Sequence, residues 1–356
     1  MIALFMAGGS GTRLWPLSRE NNPKQLHSIV GEKSLMTQTV ERIAPMIAPS
    51  DIWIVTNRKY AGQIAAHAPE VPVKQIITEP FPLGTNLAVG LGAVHIARQD
   101  PDAVILIGWA DSYIGHEQVF RDALEKAALL ANDVDGVILA VEPTYPATAY
   151  GYIEAGAAIS GYGGAFRINR FEEKPCAERA ERFFNGNAHF WNPGISVWKV
   201  EKLLDLIRRF KPDHYNALQF VSEAIGTPDE TAAVSKAFAG LDRMSIDNAI
   251  FEKATNMATI PIDLDWNDIG SWSAIYDVQS NRSANSGGNV TRGCVVSVNT
   301  DKCLIYSQKR LIATLGVSDL VIVETEDAVL IVHKNETERM KELYAEVKAY
   351  GGERYL

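Results

Sequence analysis

Short apolar runs alternate with amphipathic stretches through the first two thirds of the chain. The apolar runs cover residues 2–7, 52–56, 103–107 and 136–141. They are apolar at successive rather than alternate positions, which is typical of strands buried on both faces of a sheet. Such strands, separated by amphipathic helices, predict an α/β fold with a mainly parallel sheet flanked by helices.

A different pattern follows a small, polar, turn-prone segment at residues 280–288 (SNRSANSGG). Between residues 289 and 333, short β-branched runs separated by turns predict a small β-domain or a short β-helix. Residues 336–350 predict a charged amphipathic helix at the end. We therefore predict a large domain over residues 1–280 and a small β-rich domain over residues 286–356.

The composition narrows the classes of partner. The chain has 356 residues, of which 47% are apolar and 22% charged, so it can bury a large core. Its formal net charge of −9 argues against general binding to nucleic acid, which needs a concentrated basic face. No apolar stretch approaches the length of a membrane span, and the run at residues 2–7 is too short for a signal peptide. We expect a cytoplasmic protein with neither a nucleic-acid nor a membrane partner.

A glycine-rich loop follows the first predicted strand. It comprises Ala7, Gly8, Gly9, Ser10, Gly11, Thr12 and Arg13. Glycines let backbone N–H groups approach an anion because no Cβ blocks them, and Arg13 and Lys24 add positive charge. The pattern is neither a P-loop nor GxGxxG, since Thr12 and Arg13 occupy the place of the last glycine. Taken alone, the loop leaves open a tight strand-to-helix turn with solvated cations.

The string GGSGTRLWPLSR, followed by PKQ, resembles the opening signature of the mannose-1-phosphate guanylyltransferases, within the sugar nucleotidyltransferase superfamily. Further matches, in chain order, are EP at 79–80, D at 111, YGYIE at 150–154, FEEKP at 171–175, WNPG at 191–194, SID at 245–247, EK at 252–253, WNDIGSW at 266–272 and GVSDLVIVETEDAVLIVHK at 316–334. The resemblance implies a Rossmann-like nucleotidyltransferase fold. It also implies transfer of GMP from GTP to mannose 1-phosphate or a similar sugar 1-phosphate, giving a GDP-sugar and pyrophosphate.

Asp111 and Asp268 are the candidate metal ligands. Asp111 follows the apolar run 103–107, at the carboxyl end of a predicted strand, and Asp268 lies in a tight turn. Two carboxylates, phosphate oxygens and water form a typical Mg²⁺ shell. For Asp111 alone a helix N-cap stays open, and for Asp268 alone a turn-forming aspartate does.

The resemblance implies phosphate-binding roles for three basic residues. Arg13 is expected to contact the triphosphate, Lys24 the phosphates near the reacting centre and Lys174 the incoming sugar phosphate. A sugar phosphate is already ionised at neutral pH, so in-line displacement requires positioning and charge stabilisation rather than a covalent enzyme intermediate. The predicted catalytic residues are Arg13, Lys24, Asp111, Lys174 and Asp268.

Glu79 is the candidate base reader. A carboxylate can accept hydrogen bonds from guanine N1–H and N2–H together, whereas uracil or thymine suits an amide better. Gly84 and Thr85 complete the predicted nucleotide site. Here the chain departs from the family, which usually has Arg-Asn-Thr-Ala-Pro in place of residues 83–87 (LGTNL), a string closer to uridylyl, thymidylyl and heptose-phosphate enzymes. A surface carboxylate before a loop stays open for Glu79.

The predicted sugar-phosphate site rests on family analogy. It comprises Gly151, Glu173, Lys174, Asn192, Asp247 and Glu252. Gly151 lets the backbone approach the sugar ring, and the polar side chains offer partners for its hydroxyls. The chain departs from the family at Pro193, Ser112 and residues 108–110, which leaves a changed sugar open. A solvated charged hairpin at residues 173–174, and ordinary helix charges at Asp247 and Glu252, also stay open.

Three other functions compete with this interpretation. One is a nucleotidyltransferase for a different sugar 1-phosphate, such as a heptose 1-phosphate, or for another nucleotide. The second is a regulator that binds nucleotide sugars without turnover, and the third is an NAD-binding oxidoreductase, suggested only by the order of strand, glycine loop and helix. The expected partners are GTP and a sugar 1-phosphate; the oligomeric state stays open, with a homodimer as the candidate.

Overall fold

The computed structural model describes residues 1–9 and 11–356, and the chain forms two compact units. The sheet unit comprises Met1–Gly8, Val40–Ala110 and Ile114–Trp266. The solenoid unit comprises Gly9–Thr39, Asp111–Tyr113 and Asn267–Leu356. Ser10, predicted to bind nucleotide, lies outside the described residues. The boundary between residues 1–280 and 286–356 is a division of the sequence and stays a prediction.

The strands, in chain order, are β1 (Ile2–Met6), β2 (Ile52–Asn57), β3 (Ile76–Glu79), β4 (Val104–Trp109), β5 (Tyr113–Ile114), β6 (Gly136–Ala140), β7 (Tyr152–Ala158), β8 (Phe166–Glu172), β9 (His189–Trp191), β10 (Ser196–Lys199), β11 (Met257–Pro261), β12 (Trp266–Asn267), β13 (Val290–Arg292), β14 (Val295–Val298), β15 (Leu304–Ser307), β16 (Ile312–Leu315), β17 (Leu320–Glu324) and β18 (Val329–His333). The α-helices are α1 (Leu35–Ile43), α2 (Ala61–His67), α3 (Thr85–Gln99), α4 (Glu117–Leu130), α5 (Ala177–Phe184), α6 (Val200–Phe210), α7 (Pro212–Ala224), α8 (Glu230–Phe238), α9 (Trp272–Ser283) and α10 (Met340–Ala349). Short 3₁₀ turns lie at Thr12–Leu14, Lys24–Leu26, Pro49–Asp51, Arg58–Tyr60, Val73–Gln75, Lys334–Arg339 and Glu353–Tyr355, and a π-helical turn at Asp247–Phe251.

The sheet unit is built on one large sheet, which confirms the predicted α/β architecture. Its strand order is β3-β2-β1-β4-β10-β6-β11-β8-β7-β9. Strands β3, β2, β1 and β4 are parallel, as are β6 and β11, while β10 runs antiparallel between β4 and β6. Because β1 and β4 are apolar and all but their end residues are buried, both faces of the sheet are covered there. The parallel strands therefore present their carboxyl ends, where ligands bind in open α/β sheets, at one edge.

The solenoid unit ends in parallel coils. Strands β13, β15 and β17 pair in parallel, and so do β14 and β16; β18 closes the larger stack by pairing antiparallel with β17. Its inward side chains Cys303, Ile305 and Ile322 form a small buried core. The predicted short β-helix is confirmed. All three cysteines of the chain are free, and Cys303 is the buried one.

The predicted helix at residues 336–350 is only partly correct. Its first part is the 3₁₀ turn Lys334–Arg339, and the α-helix begins at Met340. Arg339 pairs with Glu336 and Glu342, three residues away on either side, at 2.8 Å in each case. The apolar periodicity shows a helix here but does not distinguish its two kinds of turn.

Within residues 1–9 and 11–356, we find no helix with both the length and the apolar character needed to span a bilayer.

Candidate active site

The glycine-rich loop brings Gly11 against Lys24 in the solenoid unit. Gly11 has a φ of +66°, and a Cβ placed on it would lie 2.4 Å from the Lys24 Cβ. Only glycine satisfies both the left-handed backbone and this close approach. Arg13 follows in the half-buried 3₁₀ turn Thr12–Leu14. The two segments that carry the resemblance, GGSGTR and PKQ, are therefore in direct contact.

Lys24 connects the two predicted metal ligands. Its ammonium lies 3.3 Å from Asp111 Oδ2 and donates to the backbone carbonyl of Asp268 at 2.5 Å. The Lys24 side chain is 6% exposed and that of Asp111 is 45% exposed. This buried ammonium places a positive charge beside the Asp111 carboxylate and the Asp268 backbone carbonyl. All three residues belong to the solenoid unit.

The alternatives left open for the two aspartates have different outcomes. Asp111 caps no helix, because α4 begins only at Glu117 and its N-cap residue is His116. Asp268 does form a turn, since its Oδ1 accepts from the Gly270 N–H at 3.1 Å. A Cβ on Gly270 would lie 2.4 Å from Asp268 Oδ2, so glycine there leaves room for the carboxylate.

The donor set at Asp111 and Asp268 fits a hard divalent cation. Carboxylate oxygens are the ligands that Mg²⁺ prefers, and one or two of them suffice when substrate phosphates and water complete the shell.

The described part of the chain contains one cluster of three or more metal-ligating side chains, at Asp213, His214 and Asp242. Lys211 lies 2.9 Å from Asp242 and 3.2 Å from Asp213, so an ammonium already neutralises that cluster.

Glu79 ends β3 in the sheet unit and is buried, with 7% of its surface exposed. The interpretation as a surface carboxylate is therefore wrong. Burial raises the pKa of Glu79 to about 7, since desolvation penalises the charged form. A Cβ on Gly8 would lie 3.2 Å from Glu79 Oε1, so the first loop glycine borders this carboxylate.

Gly84 and Thr85 form the start of α3 and contact a neighbouring loop of the same unit. Gly84 has a φ of +93°, and a Cβ on it would lie 2.3 Å from the Met244 carbonyl oxygen. The Thr85 hydroxyl accepts from the Ile246 N–H at 2.9 Å. Glycine is required at position 84 by this packing, and the Thr85 oxygen already has a protein partner.

The residues predicted to bind the sugar phosphate lie together in the sheet unit. The Asn192 N–H donates to the Gly151 carbonyl at 2.8 Å, and the Asn192 side-chain amide donates to Asp247 Oδ1 at 3.1 Å. A Cβ on Gly151 would lie 2.8 Å from Glu173 Oε2. The Glu173 N–H donates to Glu252 Oε1 at 3.2 Å.

This cluster contains more acidic than basic side chains. Lys174 pairs with Glu173, and its side chain is 61% exposed whereas that of Glu173 is 13% exposed. Burial, and then the neighbouring charge of Glu173, raise the pKa of Asp247 to about 7. The hairpin at residues 173–174 is therefore solvated at Lys174 but not at Glu173. Asp247 begins the π-helical turn Asp247–Phe251, so it is a helix-start residue as well as a member of the cluster.

Aromatic side chains lie next to this cluster, and the sequence analysis gave them no role, although Tyr150, Trp191 and Trp266 belong to its motifs. Trp191 makes edge contacts with Tyr145 and Tyr150, at 4.9 and 5.0 Å between ring centroids, and Tyr150 contacts Trp266 at 5.3 Å. Tyr150 and Trp191 directly precede Gly151 and Asn192, so their position beside motif residues was the available signal.

Trp109, one of the residues at which the chain departs from the family pattern, packs against Gly194. A Cβ on Gly194, whose φ is +76°, would lie 1.8 Å from Trp109 Nε1. The Trp109 indole thus packs directly on the WNPG segment. The unusual residue at position 109 and the glycine of that segment therefore depend on each other.

Comparison with known proteins agrees with this arrangement. Residues 2–285 match the family described as Nucleotidyl transferase, and residues 293–347 match that described as MannoseP isomerase/GMP-like beta-helix domain. The chain is 33% identical over 366 residues to mannose-1-phosphate guanylyltransferase 2 of Escherichia coli O157:H7, covering 100% of this chain and 75% of that protein. It is 34% identical over 354 residues to xanthan biosynthesis protein XanB of Xanthomonas campestris pv. campestris strain B100, covering 99% and 74%.

A solved structure is similar over nearly its whole length. The crystal structure described as mannose-1-phosphate geranyltransferase from Thermus thermophilus superimposes with a TM-score of 0.87 at 31% identity, covering 98% of this chain and 99% of that one. The family match includes the strand and glycine loop that had also suggested an NAD-binding oxidoreductase. The predicted resemblance is confirmed: the chain belongs to the nucleotidyl transferase family, among the mannose-1-phosphate guanylyltransferases.

Proposed function

We propose that this protein transfers GMP from GTP to mannose 1-phosphate, giving GDP-mannose and pyrophosphate. The observation that supports this most strongly is the position of Lys24, in contact with Asp111 and the Asp268 carbonyl and packed on Gly11. It joins the glycine loop to both candidate metal ligands. Relatives named as guanylyltransferases support the choice of reaction.

Charge neutralisation is the main task of these residues. Arg13 binds the triphosphate with a forked guanidinium, and Lys24 contacts phosphate oxygens as a compact charge. Asp111 and Asp268 would hold Mg²⁺, which would supply positive charge to offset the negative charge around the α-phosphorus. A buried lysine is effective here because electrostatic interactions are stronger where water is excluded.

The chemical step needs no enzyme nucleophile. An oxygen of the sugar phosphate attacks the α-phosphorus of GTP, and the bond from that phosphorus to the bridging oxygen of the β-phosphate breaks. The electron pair leaves with pyrophosphate, and no proton has to move because the attacking oxygen is already ionised. Lys174 positions the attacking phosphate; its side chain is paired with Glu173 but 61% exposed, so an incoming anion can reach its ammonium.

Base selection is assigned to Glu79. Its carboxylate accepts from guanine N1–H and N2–H, and the ligand's donors replace the water that burial has removed. Gly8 allows the base to approach because it carries no side chain beside Glu79. Nucleotide contacts at Gly84 are through the backbone, since no Cβ fits there.

The sugar pocket is formed by Gly151, Glu173, Asn192, Asp247 and Glu252. Their carboxylate and amide groups offer acceptors and donors to neighbouring hydroxyls of a sugar ring, and the bare Gly151 backbone admits the ring itself. A sugar that lacked one of these hydroxyls would leave a half-buried polar group unpaired, which is strongly penalised. We further propose a cytoplasmic homodimer that binds neither nucleic acid nor membranes.

The test is a matrix of initial rates of pyrophosphate release, with the four common nucleoside triphosphates against mannose, glucose and heptose 1-phosphates in Mg²⁺. We expect GTP with mannose 1-phosphate to give the highest kcat/KM. A preference for a heptose 1-phosphate or for UTP would replace this assignment with another member of the superfamily. Binding of GDP-mannose without turnover of any pair would indicate a regulator.

A further inference from the structure

A turn and a loop of the sheet unit are joined at several points close to the predicted substrate sites. The 83–86 turn carries Gly84 and Thr85, and the 242–247 segment ends at Asp247. The Met244 N–H donates to the Leu83 carbonyl at 3.0 Å, and the Asn86 N–H donates to the Met244 carbonyl at 3.1 Å. With the bond from the Ile246 N–H to the Thr85 hydroxyl, the backbones are held in one arrangement.

A series of side-chain hydrogen bonds also links the 83–86 turn to the 242–247 segment. Asn86 and His214 are both 0% exposed, and the Asn86 amide nitrogen lies 2.9 Å from His214 Nδ1. An amide nitrogen can only donate, so Nδ1 is the acceptor and Nε2 carries the proton. Nε2 lies 3.1 Å from Asp242 Oδ1, at the beginning of the 242–247 segment.

The cost of losing this chain follows from its burial. A fully buried imidazole and amide nitrogen without partners are unfavourable, so the turn and the segment keep the arrangement in which the ring and this nitrogen are bonded. The residues at the two ends have different substrate assignments: Gly84 belongs to the nucleotide side and Asp247 to the sugar side. Because the two segments are joined, a ligand that orders one of them lowers the entropic cost of ordering the other, which couples binding on the two sides.

We propose that Asn86, His214 and Asp242 are positioning residues that hold the 83–86 turn against the 242–247 segment, so that the nucleotide side and Asp247 of the sugar pocket are ordered together. This inference rests on the proposed function, because it takes GTP and mannose 1-phosphate as the two ligands. None of the three residues is assigned a contact with substrate.

Two exposed carboxylates provide a matched test. Asp242 and Asp213 both pair with Lys211, and their side chains are 52% and 49% exposed. Of the two, the Asp242 carboxylate bonds to the His214 ring, and Asp242 begins the segment that leads to Asp247. Asp242→Ala therefore removes the side-chain link to the His214 ring, whereas Asp213→Ala removes a similar surface charge and a bond from the His214 backbone but leaves that side-chain link in place.

The measurement is calorimetric titration of mannose 1-phosphate into the full-length protein, with and without saturating α,β-methylene GTP and Mg²⁺. We expect the analogue to tighten sugar-phosphate binding in the wild type by about 5-fold or more, within the usual range of coupling between sites. Asp242→Ala should lose most of this gain, Asp213→Ala should keep it, and Asn86→Ala should behave as Asp242→Ala.

Equal coupling in Asp242→Ala and Asp213→Ala, or none in the wild type, would overturn the inference. Thermal unfolding midpoints of the variants separate a general loss of stability from a loss of coupling. Turnover of GTP and mannose 1-phosphate by the wild type is measured beside these titrations. If turnover is present and coupling is absent, the inference fails while the proposed function stands; if turnover is absent, the proposed function fails.

Discussion

Two carboxylic acids in the predicted substrate sites have pKa values raised to about 7, for different reasons. Burial alone raises the pKa of Glu79, while burial and then the charge of Glu173 raise that of Asp247. Between pH 4.5 and 7 the folded protein keeps a proton on Glu79 that the unfolded chain has released. The folded state is therefore favoured at the acid end of this window and loses stability as the pH rises through it.

Replacing Glu79 by glutamine removes the contribution of this residue to the pH dependence of folding stability. The wild type should lose up to roughly 3 kcal/mol of unfolding free energy relative to Glu79→Gln between pH 4.5 and 8, because folding raises the pKa of Glu79 from 4.5 to about 7. Urea unfolding of both proteins at several pH values measures the difference. A constant difference across this range would show that Glu79 is not titrating in this window.

The same variant tests the base assignment. Glutamine cannot accept both guanine donors, so the ratio of kcat/KM for GTP to that for UTP should fall about 10-fold or more. Unchanged selectivity would exclude Glu79 as the base reader.

Asp111→Ala tests the metal assignment at the residue scale. Because the Asp111 side chain is 45% exposed, the variant should remain folded, with an unchanged circular dichroism spectrum. Turnover supported by Mg²⁺ should fall by about 10²–10³-fold, the usual effect of losing one group that stabilises the transition state. Near-normal turnover across a range of Mg²⁺ concentrations would contradict the assignment.

At the scale of elements, a single buried carboxylate organises a turn of the solenoid. Glu324, at the end of β17, is 2% exposed. Its Oε2 accepts from the N–H groups of Gln308, Lys309 and Arg310 at 2.8, 3.0 and 3.3 Å. These bonds lower the pKa of Glu324, so its contribution to stability is present above the unfolded pKa and is lost as the pH falls.

Glu324→Ala should therefore lower the unfolding free energy by about 2–4 kcal/mol at neutral pH, because three backbone donors lose their acceptor. Glu326→Ala is the matched control, since its side chain is 77% exposed and pairs with the exposed Lys309. Thermal melts at pH 7 should separate the two clearly. Equal melting temperatures would mean that Glu324 does not organise the turn.

The elements that the sequence predicted well are those whose signal is local. Apolar runs located β1, β2, β4 and β6 to within two residues at each end, because strands buried on both faces need apolar residues at every position. The 3₁₀ turn before α10 was missed because apolar periodicity does not separate the two kinds of turn. The connections of Asn86 to His214, and of Thr85 to Ile246, link positions 128 and 161 residues apart, and no local pattern encodes them.

At the scale of the whole molecule, the predicted chemistry divides between the two compact units. The solenoid unit contains the glycine-rich loop from Gly9 onward, together with Lys24, Asp111 and Asp268. In chain order, the short segment Asp111–Tyr113 lies between two segments of the sheet unit. The predicted boundary between residues 1–280 and 286–356 divides the sequence, whereas these compact units are defined by contacts. The candidate base reader and sugar pocket belong to the sheet unit.

The central claim is that Asp111 and Asp268 hold one metal ion with the triphosphate. Anomalous diffraction from crystals grown with Mn²⁺ and α,β-methylene GTP tests it most directly. We predict a manganese peak within about 2.5 Å of a carboxylate oxygen of both residues, with phosphate oxygens completing its shell. A peak that contacts neither carboxylate, or triphosphate bound without metal near them, would contradict the account.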